Sequence, residues 1–107
     1  IFDGEIKKLP KNISSPIIGW KKNFFKNLKI FFLKKYDKKK FYHVHSYYLS
    51  SNSRDIKGHI VENRLKIPSI IYKKKYLGLQ FHPEKSGENG LCILKDIIKF
   101  IKKNYDK

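Results

Sequence analysis

Hydrophobic and polar positions change period along the chain. Up to about residue 81 the apolar residues come in short runs or alternate with polar ones, the signature of strands. "IFDGEIKKLP" predicts a short strand pair or a strand end, closed by Pro10, and "KNISSPIIGW" a loop leading to a short apolar piece. "KKNFFKNLKIFFLKKY" stays open between two readings. Phe24, Phe25, Leu28, Phe31 and Phe32 have helical spacing, while "KIFFL" reads equally as a strand. After a "DKKK" turn, "KFYHVHSYYLS" alternates and is rich in aromatic and β-branched residues, which predicts a strand ending near His45. "SSNSRD" is a loop. "IKGHIVEN" and "IPSIIYKKK" are two further strands, with Pro68 at the start of the second, where a missing N–H is tolerated. "KYLGLQF" is the last strand. A helix then follows. Ser86 or Asn89 can cap it, and Leu91, Leu94, Ile97, Ile98 and Ile101 form its apolar stripe. Lys95, Lys99, Lys102 and Lys103 fall mainly off that stripe. One helix cannot cover both faces of a sheet, so the pattern fits an incomplete α/β sandwich.

Composition narrows the class. The 107 residues suffice for one small domain or part of a larger one, and 40 % hydrophobic content is too apolar for disorder. The formal net charge of +16 suggests nucleic acid, but only Arg54 and Arg64 are arginines. The lysines are spread along the chain together with much Ile, Phe, Tyr and Asn. A codon bias toward A/T explains that better than a phosphate-binding face, so nucleic-acid binding is disfavoured. Cys92 is the single cysteine, which excludes an internal disulfide and a zinc knuckle. A reducing cytoplasm is the expected compartment. No apolar run approaches the roughly 20 residues that cross a bilayer, so no membrane role is expected. With no Met anywhere, the chain is expected to begin inside a longer reading frame or to have been processed. No cofactor and no metal site is expected.

The candidate chemistry sits in "LGLQFHPEKSGENGL". His82 follows the last strand, and Glu84 lies two residues on, with Pro83 fixing the backbone between them. A carboxylate beside an imidazole selects one tautomer and stabilises the imidazolium when it forms. That is the base-and-orienter half of a nucleophilic triad. The bare pair fits a strand-end histidine beside a solvated glutamate equally well.

The wider string carries more. "GLQFHPEKSGENGL" resembles the carboxy-terminal signature of class I, triad-type glutamine amidotransferases, and is particularly similar to the glutaminase subunits of imidazole glycerol phosphate synthases. "PIIGW" (16–20) resembles the family's Pro-x-x-Gly-Trp element, and "YHVHSYY" (42–48) resembles its Val-His-Ser-Tyr-Tyr strand end. The three blocks occur in family order, from about Gly4 to Phe100. The resemblance implies the carboxy-terminal part of a flavodoxin-like, three-layer α/β fold, here mostly strands plus a helix. It implies that His82 is the general base toward a cysteine and that Glu84 orients it. It places Ser46 and Tyr47 at the glutamine pocket. Lys85, Gly19 and Trp20 would face a (β/α)₈ synthase subunit, the partner in a heterodimer, across which ammonia passes. His43 reads as a structural neighbour of His45, His59 as an exposed strand residue, and Cys92 as a packing residue.

The departures are informative. The family's Gly-x-Cys-x-Gly-x-Gln elbow, which carries the nucleophile and the oxyanion-binding N–H groups, is absent from residues 1–107. "ENRLK" stands where a Tyr-Gly is common. The expectation is one amidotransferase domain of which residues 1–107 are the carboxy-terminal portion, without the amino-terminal half that bears the elbow. Its function would be histidine-pathway glutamine hydrolysis, inactive in this portion alone. An ammonia-supplying paralogue for surface-sugar amidination shares these motifs, and a non-catalytic basic binding domain is the alternative of another class.

Overall fold

The computed structural model describes residues 4–25, 31–51, 53–73 and 76–105. Strands dominate and one long helix closes the chain. β1 (Glu5–Lys8) pairs antiparallel with β5 (Tyr47–Ser50), and β2 (Ile17–Lys22) with β4 (Lys40–His45). β3 (Phe24–Phe25), β6 (Ile56–Glu62), β7 (Leu65–Lys73) and β8 (Tyr76–Leu79) form a four-stranded antiparallel sheet in that order. The helix α1 spans Gly87–Tyr105.

The alternating segment 40–50 makes two strands instead of one. Both sides of the break at Ser46 find different partners, so the predicted end near His45 holds and the continuation starts a new pairing. The ambiguous segment is a strand at Phe24–Phe25 and a 3₁₀ turn at Phe31–Tyr36, with residues 26–30, Leu28 among them, outside the described residues. β6 and β7 form a hairpin through Asn63 and Arg64, both at positive φ (46° and 71°), the conformation that two-residue hairpin turns require. β7 therefore begins three residues before Pro68, which lies inside the strand and not at its start. Its register partner is His59, beside a shift of register at Gly58, and such an irregularity is where a strand interior accepts proline.

Two apolar cores result. One holds Leu9, Ile13, Ile17, Tyr48, Ile60 and Ile67. The other holds Phe25, Leu33, Tyr36, Phe41, Ile70 and Phe81 under Ile93 and Ile97 of α1. Here the predicted helix stripe needs correction. Ile93 and Ile97 are the buried residues, and Phe100 packs on Phe32 and Tyr72, whereas Leu91, Ile98 and Ile101 are exposed at 54 %, 51 % and 44 %. The helix is apolar on two faces at the same period, and tertiary contact, not periodicity, selects the one that is buried. Cys92 is also exposed, which corrects its reading as a packing residue. His59 is half-buried and stacks on Phe24 at 5.5 Å, so it is less exposed than expected.

Ile70 packs with Ile93 and Ile97 of α1, and Ser69 is the extra residue of β7 where the register with β6 shifts. A cavity of about 380 Å³ lies between β7, β8 and the β1–β5 pair, lined by Ile6, Leu49, Pro68, Ile71, Leu79 and others. Ser69 lines it too, 2 % exposed, and its hydroxyl has no hydrogen-bond partner among the described residues. α1 thus covers the sheet at Ile70, while Ile60 and Ile67 are buried against Leu9, Ile13, Ile17 and Tyr48.

Candidate active site

The site grows from the end of β8. Phe81 is buried, its ring 4.5 Å from Phe41 and 5.8 Å from His43, and this anchors the chain where it leaves the strand. His82 then donates its backbone N–H to the Tyr42 carbonyl on β4 at 2.9 Å. Pro83–Lys85 forms a 3₁₀ turn, closed by Lys85 N–H to the His82 carbonyl (3.1 Å) and Ser86 N–H to the Pro83 carbonyl (3.0 Å).

Ser86 was expected to cap α1, and it does so through its backbone. Its carbonyl accepts from Gly90 N–H at 3.1 Å. Its side chain does something the sequence did not announce. The hydroxyl accepts from Tyr42 N–H at 2.8 Å and donates to the His82 carbonyl at 2.6 Å, and Ser86 is 1 % exposed. The His82 turn is therefore tied to β4 by one buried hydroxyl. Asn89, the other candidate cap, donates its side chain to the Lys40 carbonyl at 3.1 Å. Gly90 is required for α1 to approach the turn, since a β-carbon there would lie 1.9 Å from the Pro83 carbonyl oxygen.

On this frame His82 Nδ1 lies 3.0 Å from Glu84 Oε2, with side-chain exposures of 37 % and 61 %. A carboxylate only accepts, so Nδ1 carries the proton and Nε2 is the basic nitrogen. Glu84 is held below the usual carboxylate range, first by a hydrogen bond from its own backbone N–H and then by His82. Lys85 ends the same turn, exposed.

Trp20 is half-exposed on β2, opposite Tyr42, with the two rings edge to face at 6.1 Å, so it is not a core tryptophan. A β-carbon at Gly87 would stand 3.6 Å from its ring, which places Trp20 beside the start of α1. Gly19 has φ of +125°, a backbone that only glycine adopts without strain. Ser46 sits at the break between β4 and β5, and Tyr47 is exposed just after it. His45 links the two groups, since its Nδ1 lies 3.2 Å from the Tyr47 carbonyl and its ring feels the charge of His82. The turn thus brings His82, Glu84 and Lys85 together, with Trp20 and the Ser46–Tyr47 segment on neighbouring elements. Cys92 lies in α1 without elbow glycines around it.

Sequence reasoning missed three contributors. Ser86 showed only a capping signal. Asn23 and His43 are each fully buried and hydrogen-bonded to one another at 3.1 Å, and the one available hint was a polar residue inside an apolar run. Among the described residues no group of His, Cys, Asp and Glu could hold a metal ion, and no helix is long and apolar enough to cross a membrane.

Residues 3–100 match the family model described as glutamine amidotransferase class-I. The chain is 39 % identical over 102 residues to the imidazole glycerol phosphate synthase subunit HisH of Caldanaerobacter subterraneus, covering 95 % of this chain and 50 % of the relative. It is 35 % identical over 99 residues to the same-named subunit of Dehalococcoides mccartyi, covering 92 % and 48 %. The likeness to the Buchnera aphidicola subunit is 35 % over 101 residues, covering 92 % and 50 %. The chain spans about half the length of these curated relatives.

Proposed function

The chain belongs to the class I glutamine amidotransferase family, and we propose that it is the carboxy-terminal portion of a glutaminase subunit that supplies ammonia to an imidazole glycerol phosphate synthase. The observation that carries the proposal is the His82–Glu84 pair at 3.0 Å, held by a buried hydroxyl at the end of β8. The names of the relatives support the pathway. The nucleophile is assigned to an amino-terminal half of the domain, outside residues 1–107. One feature supports that half as a missing cover: the exposed Leu91, Ile98 and Ile101 on α1.

In the complete enzyme the cysteine thiolate attacks the amide carbon of glutamine. The C–N bond breaks, and His82 gives a proton from Nε2 to the departing nitrogen, which leaves as ammonia. Water then attacks the thioester, His82 takes its proton, and the C–S bond breaks to release glutamate and the thiolate. Glu84 keeps Nδ1 protonated throughout and stabilises the imidazolium. Ser46 and Tyr47 border the amino-acid end of glutamine. Lys85, Gly19 and Trp20 face the partner, a (β/α)₈ subunit forming a heterodimer in the cytoplasm.

The basic-binding alternative would be favoured by lysines gathered on one face and by DNA binding that falls steeply with salt. Exposed lysines occur on β1 (Lys7), β2 (Lys22), the 3₁₀ turn (Lys34), β7 (Lys66) and α1 (Lys99), not on one element. The test is a chimera with the amino-terminal half of the Caldanaerobacter relative followed by this chain. It should release glutamate from glutamine, His82→Ala should abolish this, and the isolated chain should release none. Cys92→Ser should leave release unchanged. A chimera indifferent to His82→Ala, or isolated-chain turnover lost in that variant, would overturn the assignment.

A further inference from the structure

Hydrogen bonds run from β2 to the Ser46–Tyr47 segment through two histidines that the proposed chemistry does not use. Asn23 Nδ2 lies 2.9 Å from the Lys21 carbonyl and 3.1 Å from His43 Nε2. His43 Nδ1 lies 3.1 Å from His45 Nε2. His45 Nδ1 lies 3.2 Å from the Tyr47 carbonyl.

The protons follow from the two ends. The Lys21 carbonyl can only accept, so the Asn23 atom beside it is the amide nitrogen, and the second N–H of that nitrogen points at His43 Nε2. His43 Nε2 must then be bare and its proton must sit on Nδ1. That proton faces His45 Nε2, which must also be bare, so His45 carries its proton on Nδ1 and gives it to Tyr47. Each link has one donor and one acceptor in this arrangement only. A second proton on either ring would set two donors face to face. The Asn23 side-chain oxygen is buried without a partner among the described residues, which indicates that the amide is oriented for its NH₂ group.

The surroundings agree. Burial, followed by His45, Lys21 and His82, pushes the His43 imidazole down to about 3. Burial also lowers His45, with His82 lowering it and Glu62 and the Tyr47 carbonyl opposing. Of the three neighbouring imidazoles, His82 is the one whose Nδ1 faces a carboxylate among the described residues.

We propose that Asn23 and His43 are positioning residues, which hold His45 as the neutral Nδ1–H tautomer and thereby fix the Tyr47 carbonyl beside the glutamine pocket. The positioning role rests on the glutaminase reading, whereas the tautomers do not. His43 shares its surroundings with Phe81, so a Phe at position 43 keeps a ring there and removes only the relay. A Gln at 43 keeps one acceptor and one donor in the same sense.

The first measurement is long-range ¹H–¹⁵N NMR of the histidine rings in the 107-residue chain. At neutral pH both His43 and His45 should show a protonated Nδ1 and a bare Nε2, and Asn23→Leu should admit the other His43 tautomer. An Nε2–H tautomer or a charged ring at either histidine in the unsubstituted chain would overturn the relay. The second uses the chimera. His43→Phe should raise KM for glutamine about fivefold or more with kcat held within about twofold, and His43→Gln should restore most of the loss. The expected tautomers with an unchanged KM in His43→Phe would overturn the positioning role and leave the relay standing. A chimera without turnover in any form would overturn the glutaminase reading, and the positioning role with it, whatever the NMR shows.

Discussion

Ser86→Ala tests the claim that the base is held by one hydroxyl. The substitution removes a single oxygen and changes volume very little, so packing is not confounded. Two hydrogen bonds are lost, from Tyr42 N–H at 2.8 Å and to the His82 carbonyl at 2.6 Å. Each bond contributes about 1 kcal/mol net. The His82 carbonyl retains Lys85 N–H at 3.1 Å, but the hydroxyl is the hydrogen-bond partner that the structure gives Tyr42 N–H. An amide left unpaired in a half-buried strand adds to the loss, which brings the total to about 2–3 kcal/mol. Small domains have about 5–15 kcal/mol in all, and 1 kcal/mol moves Tm by roughly 4–8 °C at this size. The midpoint should therefore fall by roughly 10–20 °C. Urea unfolding with an unchanged slope gives the free energy, and glutamate release by the chimera reports whether His82 has moved. The exposed Ser14→Ala serves as the comparison and should stay within about 0.5 kcal/mol. If Ser86→Ala matches it, the hydroxyl does not hold the turn.

Gly90→Ala should be worse than Ser86→Ala, at about 3 kcal/mol or more, because its β-carbon would stand 1.9 Å from the Pro83 carbonyl oxygen, which can move only with the Pro83–Lys85 turn; a variant as stable as the parent would mean that α1 is not seated against Pro83. Acid should destabilise the chain through His43. Its native value of about 3 lies below the ordinary 6.5, so below pH 6.5 the unfolded chain binds a proton that the native one refuses. Stability then falls by about 1.4 kcal/mol per pH unit from this group alone, and His43→Phe should flatten the slope measured by urea unfolding between pH 7 and 5. An equal slope in both proteins would contradict the buried neutral ring. Asp96 accepts from Tyr36 at 2.5 Å and from Lys35 at 2.9 Å. Burial opposes its ionisation, yet these bonds outweigh burial and hold the carboxyl below 3.8. Asp96→Asn should therefore cost about 1–2 kcal/mol at neutral pH. The difference should shrink as pH falls below 3.8, where the native carboxylate is itself neutralised, and a gap that persists in acid would refute the ion-pair account.

Legibility followed the range of the forces involved. The last strand, the His82–Glu84 turn and α1 were readable because local spacing alone decides them. The turn brings a carboxylate to the next imidazole but one whatever surrounds it. Which face of α1 is buried was not readable, because Ile93 and Ile97 compete with Leu91 and Ile98 at the same period, and only Phe41, Ile70 and Phe81 on distant strands settle the choice. The division of residues 40–50 into β4 and β5 depends on partners at residues 17–22 and 5–8, far along the chain. Pro68 was misplaced for a related reason. A strand rule treats proline as a boundary, and the register shift that admits it, with Ser69 as the extra residue, shows only once β7 is paired with β6. Ser86 looked like a cap because caps are local, while its second use needs Tyr42, which lies 44 residues away.

The same distinction bears on how the proposed enzyme is divided. Among the described residues, His82 is held by Tyr42 on β4, Ser86 before α1, Glu84 in the turn, and Phe81 wedged against Phe41. The exposed apolar side chains of α1, Leu91, Ile98 and Ile101, lie elsewhere, on the outer side of the helix. The arrangement therefore separates two tasks. In the proposed enzyme, one half-domain would build and orient the base, and docking would bring a nucleophile to Nε2. On that account, substitutions at Ser86 should damage the isolated chain and the chimera to the same extent, whereas a charge placed at Ile98 should spare the isolated chain and weaken only the assembled domain. Equal damage to both by Ile98→Lys would mean that the outer face of α1 has no partner, and the division of labour would have to be drawn along another surface.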